Sequence, residues 1–173
     1  MTCEVAFRTA QASDAACIGV LAMQVFLDTY ATEGIRPDLA REALTTYSPG
    51  AFSRRLAQSN THFIVAESNQ HLVGFAEVVL GGAAPVSTLP MMNGTAELVR
   101  LYVQRGFQGR GVGGALLRRA ESFANSNAIP TLWLTAWVGN TKALAFYATQ
   151  GYADRGSCTY EIEGQPYENR VLS

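Results

Sequence analysis

The chain has 173 residues, 48% of them hydrophobic and 16% charged, with a formal net charge of −1. That length suits one domain over residues 1–173, burying about two thirds of its unfolded surface, and the composition excludes a disordered chain. The near-neutral charge excludes a general nucleic-acid binder, whose affinity rests on neutralising many phosphates.

In chain order, Glu4 to Thr9 reads as a short strand. Ser13 or Asp14 can cap the helix that follows, where Ile18, Leu21, Ala22, Val25 and Phe26 form a core stripe at helical spacing. After a break at Glu33 to Arg36, a second helix starts at Pro37, a favoured first helical position. Pro49-Gly50 then precedes a short helix over Ala51 to Gln58. Thr61 to Glu67 and His71 to Leu80 alternate as strands around a turn at Ser68-Asn69-Gln70. Gly81 to Asn93, with its prolines and paired glycines, reads as a loop. Strand 95–103, helix 112–126, strand 131–138 and helix 141–149 follow. Tyr152 to Glu161 and Pro166 to Leu172 close the chain as a hairpin turning near Glu163-Gly164. Early antiparallel strands followed by a strand–helix–strand unit predict a mixed, mostly antiparallel α/β sheet flanked by helices.

Cys3, Cys17 and Cys158 form no Cys-x-x-Cys pair, and their odd number argues against a disulfide framework. His62 and His71, expected at strand ends flanking a hairpin, are too few for a metal site, so none is expected. No signal peptide is apparent, and no uninterrupted apolar run approaches the roughly 20 residues that span a bilayer. A reducing cytosol is the expected compartment, with no membrane partner.

The stretch Gln108-Gly109-Arg110-Gly111-Val112-Gly113-Gly114 stands between a strand and a helix. Such a turn presents backbone N–H groups at a helix N-terminus, where a phosphate can be held, and glycines allow close approach and positive φ. A Walker A loop needs a lysine, and Lys142 is the only lysine in the chain. A dinucleotide fingerprint is matched by Gly109, Gly111 and Gly114, but no acid stands between Glu121 and Asp154 to hold a ribose. The remaining pattern, Gln/Arg-x-x-Gly-x-Gly/Ala, is met by Gln108, Gly111 and Gly113. Between residues 98 and 120 lie five arginines and no acid, a local positive field suited to a small polyanion.

On these residues the chain resembles the GNAT superfamily of acetyl-CoA-dependent N-acetyltransferases. A second motif, Asn140-x-x-Ala143-x-x-Phe146-Tyr147-x-x-x-Gly151-Tyr152, completes the resemblance. The run Leu132-Trp133-Leu134-x-x-Trp137 ahead of it is similar to a bacterial branch containing polyamine (spermidine/spermine) acetyltransferases. The resemblance implies acetyl-CoA as co-substrate. Backbone amides of Gly109, Arg110, Gly111, Val112, Gly113 and Gly114 would take the pyrophosphate, with Gln108 in the motif. Leu101, Tyr102 and Val103 would pair with the pantetheine arm like an added strand, and Asn140 would cap its helix and touch that arm. Tyr147 matches the general acid that meets the departing thiolate.

An alkylammonium has a pKa near 10, so a base must take its proton close to attack. Glu97 is the candidate; strand alternation puts it on one face with Val99, Leu101 and Val103. The competing view of Glu97 is a salt-bridged glutamate, with Arg100 as partner. Cys158 as an acyl-accepting nucleophile lacks an activating neighbour in sequence. The acceptor, by resemblance, contacts the first two helices and the final hairpin, which hold Phe26, Asp28, Tyr30, Glu33 and Tyr160. With Asp38 and Glu42, these acids point to a small primary amine or polyamine. A homodimer is implied by resemblance alone. The rivals are a peptide N-acetyltransferase and a non-catalytic acyl-CoA-binding regulator.

Overall fold

The computed structural model describes residues 4–87, 89 and 94–173, so Cys3 and much of the far end of the loop expected over 81–93 lie outside the described residues. The strands are β1 (Val5–Thr9), β2 (Thr61–Ser68), β3 (His71–Leu80), β4 (Ala96–Val103), β5 (Leu132–Trp137), β6 (Asp154–Ile162) and β7 (Gln165–Leu172). The helices are α1 (Ala15–Tyr30), α2 (Pro37–Thr46), α3 (Pro49–Leu56), α4 (Val112–Ser126) and α5 (Thr141–Thr149).

All seven strands join one sheet in the order β1-β2-β3-β4-β5-β7-β6. Every pairing is antiparallel except β4–β5, which the α4 crossover makes parallel. The β2–β3 hairpin turns at Asn69 and Gln70, both at positive φ, and the β6–β7 hairpin at Glu163 and Gly164 in the same way. Paired positive φ values match the twist of the flanking strands.

Two cores sandwich the sheet. One packs Leu116, Leu117, Ala120 and Ala124 of α4 on Ala76, Val78, Ala96, Leu98 and Leu134. The other packs Ile18, Leu21, Ala22 and Phe26 of α1 with Leu39, Phe52, Val65 and Phe75. Ala12–Tyr30, with mean hydropathy 1.2, is long and apolar enough to cross a membrane by length and composition, contrary to the sequence expectation. Its stripe faces the sheet here, which makes it a core helix of this fold.

Two expectations are corrected. Neither Ser13 nor Asp14 caps α1 by its side chain: the chain enters through a short 3₁₀ turn at Ala12–Asp14. The Asp14 carboxylate instead accepts from the Gln11 N–H at 2.7 Å and from Arg8. The second correction concerns β4. Its register with β3 shifts, Glu77 facing Arg100 and Val78 facing Leu98, so Val99 is an extra, bulged residue. A bulge reverses the alternation beyond it. Leu98, Leu101 and Val103 therefore lie toward α4, while Glu97 shares the opposite face with Arg100 and Tyr102.

Candidate active site

β4 and β5 pair at Ala96↔Leu132 and Glu97↔Trp133 and no further. β5 then turns to β7, while β4 continues along β3 alone. A wedge opens between the strands, and Glu97 stands at its apex. Along it, Leu101, Tyr102 and Val103 keep their ladder to Ala76, Phe75 and Gly74 on one edge and have no strand on the other. That free edge can accept an extended chain.

The wide end of the wedge meets the glycine turn. Gly109 has φ 72 and Gly111, the residue before α4, has φ 82, so both need left-handed backbone. Backbone N–H groups from Gly109 to Gly114 donate to nothing among the described residues; the first α4 bond is Ala115 N–H to the Gly111 carbonyl, 3.0 Å. These unpaired donors, with the helix dipole behind them, suit a pyrophosphate. Gln108 is not aimed at a ligand: its Nε2 donates to the Val103 carbonyl at 3.0 Å and ties the turn to the end of β4. Arg110 folds over the Phe107 ring at 5.4 Å.

Asn140 caps α5, its Oδ1 accepting from the Ala143 N–H at 3.2 Å. Tyr147, about two turns on, is 7% exposed and packs edge-on against Phe146. Its hydroxyl makes no hydrogen bond among the described residues. Burial pushes the phenol above the ordinary tyrosine range, with the nearby Tyr102 adding to the effect. The group is a protonated donor awaiting an acceptor.

On the opposite face, burial raises the Glu97 carboxyl, with Glu77 adding to the shift and Arg100 opposing it. Among the described residues Glu97 has no ion-pair partner. The expected alternative, a bridge to Arg100, is not formed: Arg100 Nη1 bonds Glu77 Oε2 at 2.5 Å instead. Glu77 is 2% exposed. Burial and then Glu97 raise the Cys158 thiol, which disfavours a thiolate nucleophile there.

An aromatic wall bounds this face. Tyr30 at the end of α1 stacks on Trp137 at the end of β5 (ring centroids 5.2 Å), and Tyr167 of β7 meets both edge-on at 5.3 and 5.7 Å. Gly139 permits this arrangement, since a Cβ there would fall inside the Trp137 indole. Phe26 packs on Tyr30 and Tyr47 behind the wall. Part of the β3–β4 loop closes another side: Leu89 and Val86 cover Trp133 and Val171. Trp133 Nε1 donates to Thr95 Oγ1 (3.3 Å), whose hydroxyl donates to the Gly82 carbonyl (2.9 Å).

Of the four acids expected here, two are engaged and two face solvent; Glu163, not among them, is also paired. Asp38 pairs with Arg36 at 2.9 Å, Glu42 accepts from the Tyr160 hydroxyl at 3.1 Å, and Glu163 pairs with Arg41. Asp28 and Glu33 are exposed. Sequence reading missed Glu77, Arg100 as its partner, Tyr167 and Gly139. Only Gly139, a glycine two residues after a tryptophan, left a readable trace.

A mixed sheet that splits at its one parallel pair, over a glycine-rich helix start with unpaired amides, defines an acyl-coenzyme A-dependent N-acyltransferase fold. The Acetyltransferase (GNAT) family matches residues 28–152, and the chain belongs to that family of acetyl-CoA-dependent N-acetyltransferases. It is similar to the N-alpha-acetyltransferase RimI of Mycobacterium tuberculosis, 32% identical over 106 residues, or 61% of each chain. An uncharacterised N-acetyltransferase of Lactobacillus delbrueckii is 26% identical over 76% of this chain and 74% of its own. Among solved structures, the PaiA N-acetyltransferase of Thermoplasma acidophilum in complex with coenzyme A shares the fold (TM-score 0.73, 19% identity, 96% and 98% of the two chains). An aminoglycoside N-acetyltransferase in complex with CoA does likewise (TM-score 0.71, 13% identity, 91% and 93% covered).

Proposed function

We propose that the chain, acting as one domain over residues 1–173, acetylates the primary amine of a small molecule by direct attack. The observation that carries this is the coincidence of three features at the wedge: the strand split after Glu97, the unpaired Glu97 carboxyl and the unpaired Tyr147 hydroxyl. A binding-only regulator needs neither side chain.

The chemistry follows from these groups. Amides 109–114 hold the pyrophosphate, and the β4 edge at Leu101 to Val103, with Asn140, lays the pantetheine arm along the wedge. The thioester then lies near the apex. Glu97 takes one proton from the incoming ammonium, and burial makes it a better base than a solvated glutamate. The freed nitrogen lone pair attacks the thioester carbon, and collapse of the tetrahedral adduct breaks the C–S bond. The Tyr147 hydroxyl donates to the sulfur as negative charge builds there. The second amine proton leaves with the thiolate as coenzyme A thiol, so one acetyl group and one proton change places.

A small acceptor is supported by the walls on the acceptor face, where Trp137, Tyr30 and Tyr167 and the Leu89 segment narrow the approach. A polyamine remains the finer form of this reading, from the Leu132-Trp133-Leu134-x-x-Trp137 resemblance. Likeness to RimI favours a peptide N-terminus as the second reading. A cytosolic homodimer completes the proposal; Cys17 and Cys158 are free thiols, as a reducing compartment expects. Thiol release from acetyl-CoA across spermidine, diamines, amino acids and N-terminal peptides decides the acceptor. Peptides outrunning every small amine would overturn the small-molecule reading, and no thiol release with any amine would return the regulator.

A further inference from the structure

We propose that the acceptor carries a carboxylate as well as its amine, and that Arg100 is the residue that binds it. The inference rests on the small-amine reading above and names its substrate class: an amino acid.

The Val99 bulge places Arg100 on the same face as Glu97 and one register step beyond it, about 7 Å along the strand. Its guanidinium lies over the rings of Tyr47 and Phe52, 5.4 and 5.7 Å from their centroids, and its side chain is 11% exposed. The orientation is therefore fixed. A guanidinium offers two donor edges, each suited to a carboxylate. Glu77 takes one nitrogen, Nη1, while Nε is buried without a partner.

A second guanidinium sharpens the imbalance. Arg55 of α3 packs over Phe52 at 4.8 Å, and its Nη1 is also buried without a partner. Arg100 and the half-buried Arg55 thus lie in the field of Glu77, whose carboxylate bonds Arg100 alone. A buried cation short of counter-charge is costly, and an incoming anion relieves it. Glu97 is not that anion, because it bonds neither arginine and has its own task at the apex. The polar groups around the guanidinium are the phenols of Tyr47, Tyr102 and Tyr160, which add no charge when protonated.

The opposite preference is weakened. Of the acids that would attract a polycation, Asp38 and Glu42 are engaged by Arg36 and Tyr160, while Asp28 and Glu33 face solvent. An amine at Glu97 with a carboxylate at Arg100 matches the charges on the face of β4 itself.

The test compares each acid with its own primary amide: glycine, phenylalanine, 4-aminobutyrate and 6-aminohexanoate, with spermidine alongside. Wild-type enzyme saturated with acetyl-CoA should favour at least one acid over its amide by about tenfold or more in kcat/KM, equivalent to about 1.4 kcal/mol. Arg100→Lys keeps a cation for Glu77 but loses the Nε edge, and the acid-to-amide ratio should fall toward unity. Because that variant can misfold, the paired Glu77→Gln/Arg100→Met variant removes both charges together and should show the same loss. Calorimetry of N-acetylated acids and their amides on the coenzyme A-bound enzyme reads the anchor without turnover. Acids and amides equal in both assays, or an acid preference untouched in the variants, would overturn the anchor. If no small amine is acetylated but the N-acetyl acids bind tighter than their amides, Arg100 keeps its role and the small-amine reading alone fails.

Discussion

The two ends of the wedge are built from different materials. The end proposed for the coenzyme is backbone: left-handed glycines and a run of amides at the start of α4, all within residues 108–114. The end proposed for the acceptor is side chains brought from afar, Tyr30 of α1, Arg100 of β4, Trp137 of β5 and Tyr167 of β7. A pyrophosphate is the same in every use of the coenzyme, and main-chain donors suffice for it. Acceptors differ, and only side chains can express that difference. Substitutions should therefore separate the ends: changes in one alter coenzyme affinity, changes in the other alter acceptor use.

Tyr147 sits where the ends meet, and its loss should have the largest effect. Tyr147→Phe should lower turnover roughly a hundredfold, the usual scale for a positioned proton donor, with acetyl-CoA affinity nearly unchanged. The hydroxyl makes no hydrogen bond among the described residues and the ring keeps its packing, so its removal should leave thermal stability nearly unchanged. Stopped-flow acetyl transfer and a melting curve check both halves. Unaltered turnover would make Tyr147 a packing residue only.

Next comes the glycine turn. Gly111→Val must hold a branched side chain at φ 82, which costs about 1–2 kcal/mol. Distortion of the amide cradle should raise the acetyl-CoA dissociation constant by about tenfold or more. Gly113 differs, because a Cβ there meets Phe146 and Val103 at ordinary contact distances, 3.5 and 3.9 Å. Gly113→Ala should keep the melting temperature yet weaken acetyl-CoA, since the added methyl stands among the amides. Full affinity in that variant would confine the cradle to Gly109–Gly111.

The same contrast explains what was legible in the sequence. Strand and helix order, the α4 boundaries and the glycine turn could be read because each depends on residues close together. Residues 112–126 and 141–149 form helices over the expected span. The face of Glu97 could not be read. One bulged residue, set by the pairing of β4 with β3, reverses every side chain beyond it, and no local signal at Val99 announces this. Arg100 reads in sequence as one of five arginines or as a partner for Glu97, and its actual partner Glu77 lies 23 residues earlier on another strand. The α1 start was misread because Asp14 was drawn to Arg8 and Gln11, contacts across a chain entry that capping rules do not describe.

A smaller effect is expected at Glu97, and its pH dependence has a definite sign. Burial raises the Glu97 pKa, so the folded state binds this proton more tightly than the unfolded chain. The stability it contributes is present at low pH and is lost as pH rises through the folded pKa. Glu97→Gln should therefore not lower the melting temperature at pH 8, whereas a structural ion pair would. Turnover should fall by about tenfold near pH 7, and the deficit should shrink toward pH 9 as free amine supplies itself. A deficit constant with pH would assign Glu97 to binding.

The finest test of the divided wedge is Gly139→Ala, outside both motif cores. The added Cβ would fall inside the Trp137 indole, so the ring must leave its stack on Tyr30 and its edge contact with Tyr167. Loss of packed aromatic contact costs about 1 kcal/mol per pair, so the protein should stay folded with a lower melting temperature. Near-ultraviolet circular dichroism should change, as Trp137 is one of two tryptophans. The functional consequence should be one-sided. The acceptor KM should rise about threefold to tenfold because one wall of its approach has moved, a loss of about 1 kcal/mol of binding. Acetyl-CoA affinity should fall less, because the amides of 109–114 and the free edge of β4 lie away from Trp137 and only Asn140, whose N–H bonds the Trp137 carbonyl at 2.9 Å, adjoins the change. Equal losses on both substrates would show that the aromatic wall sets the angle of the whole wedge, and the division between a backbone end and a side-chain end would no longer stand.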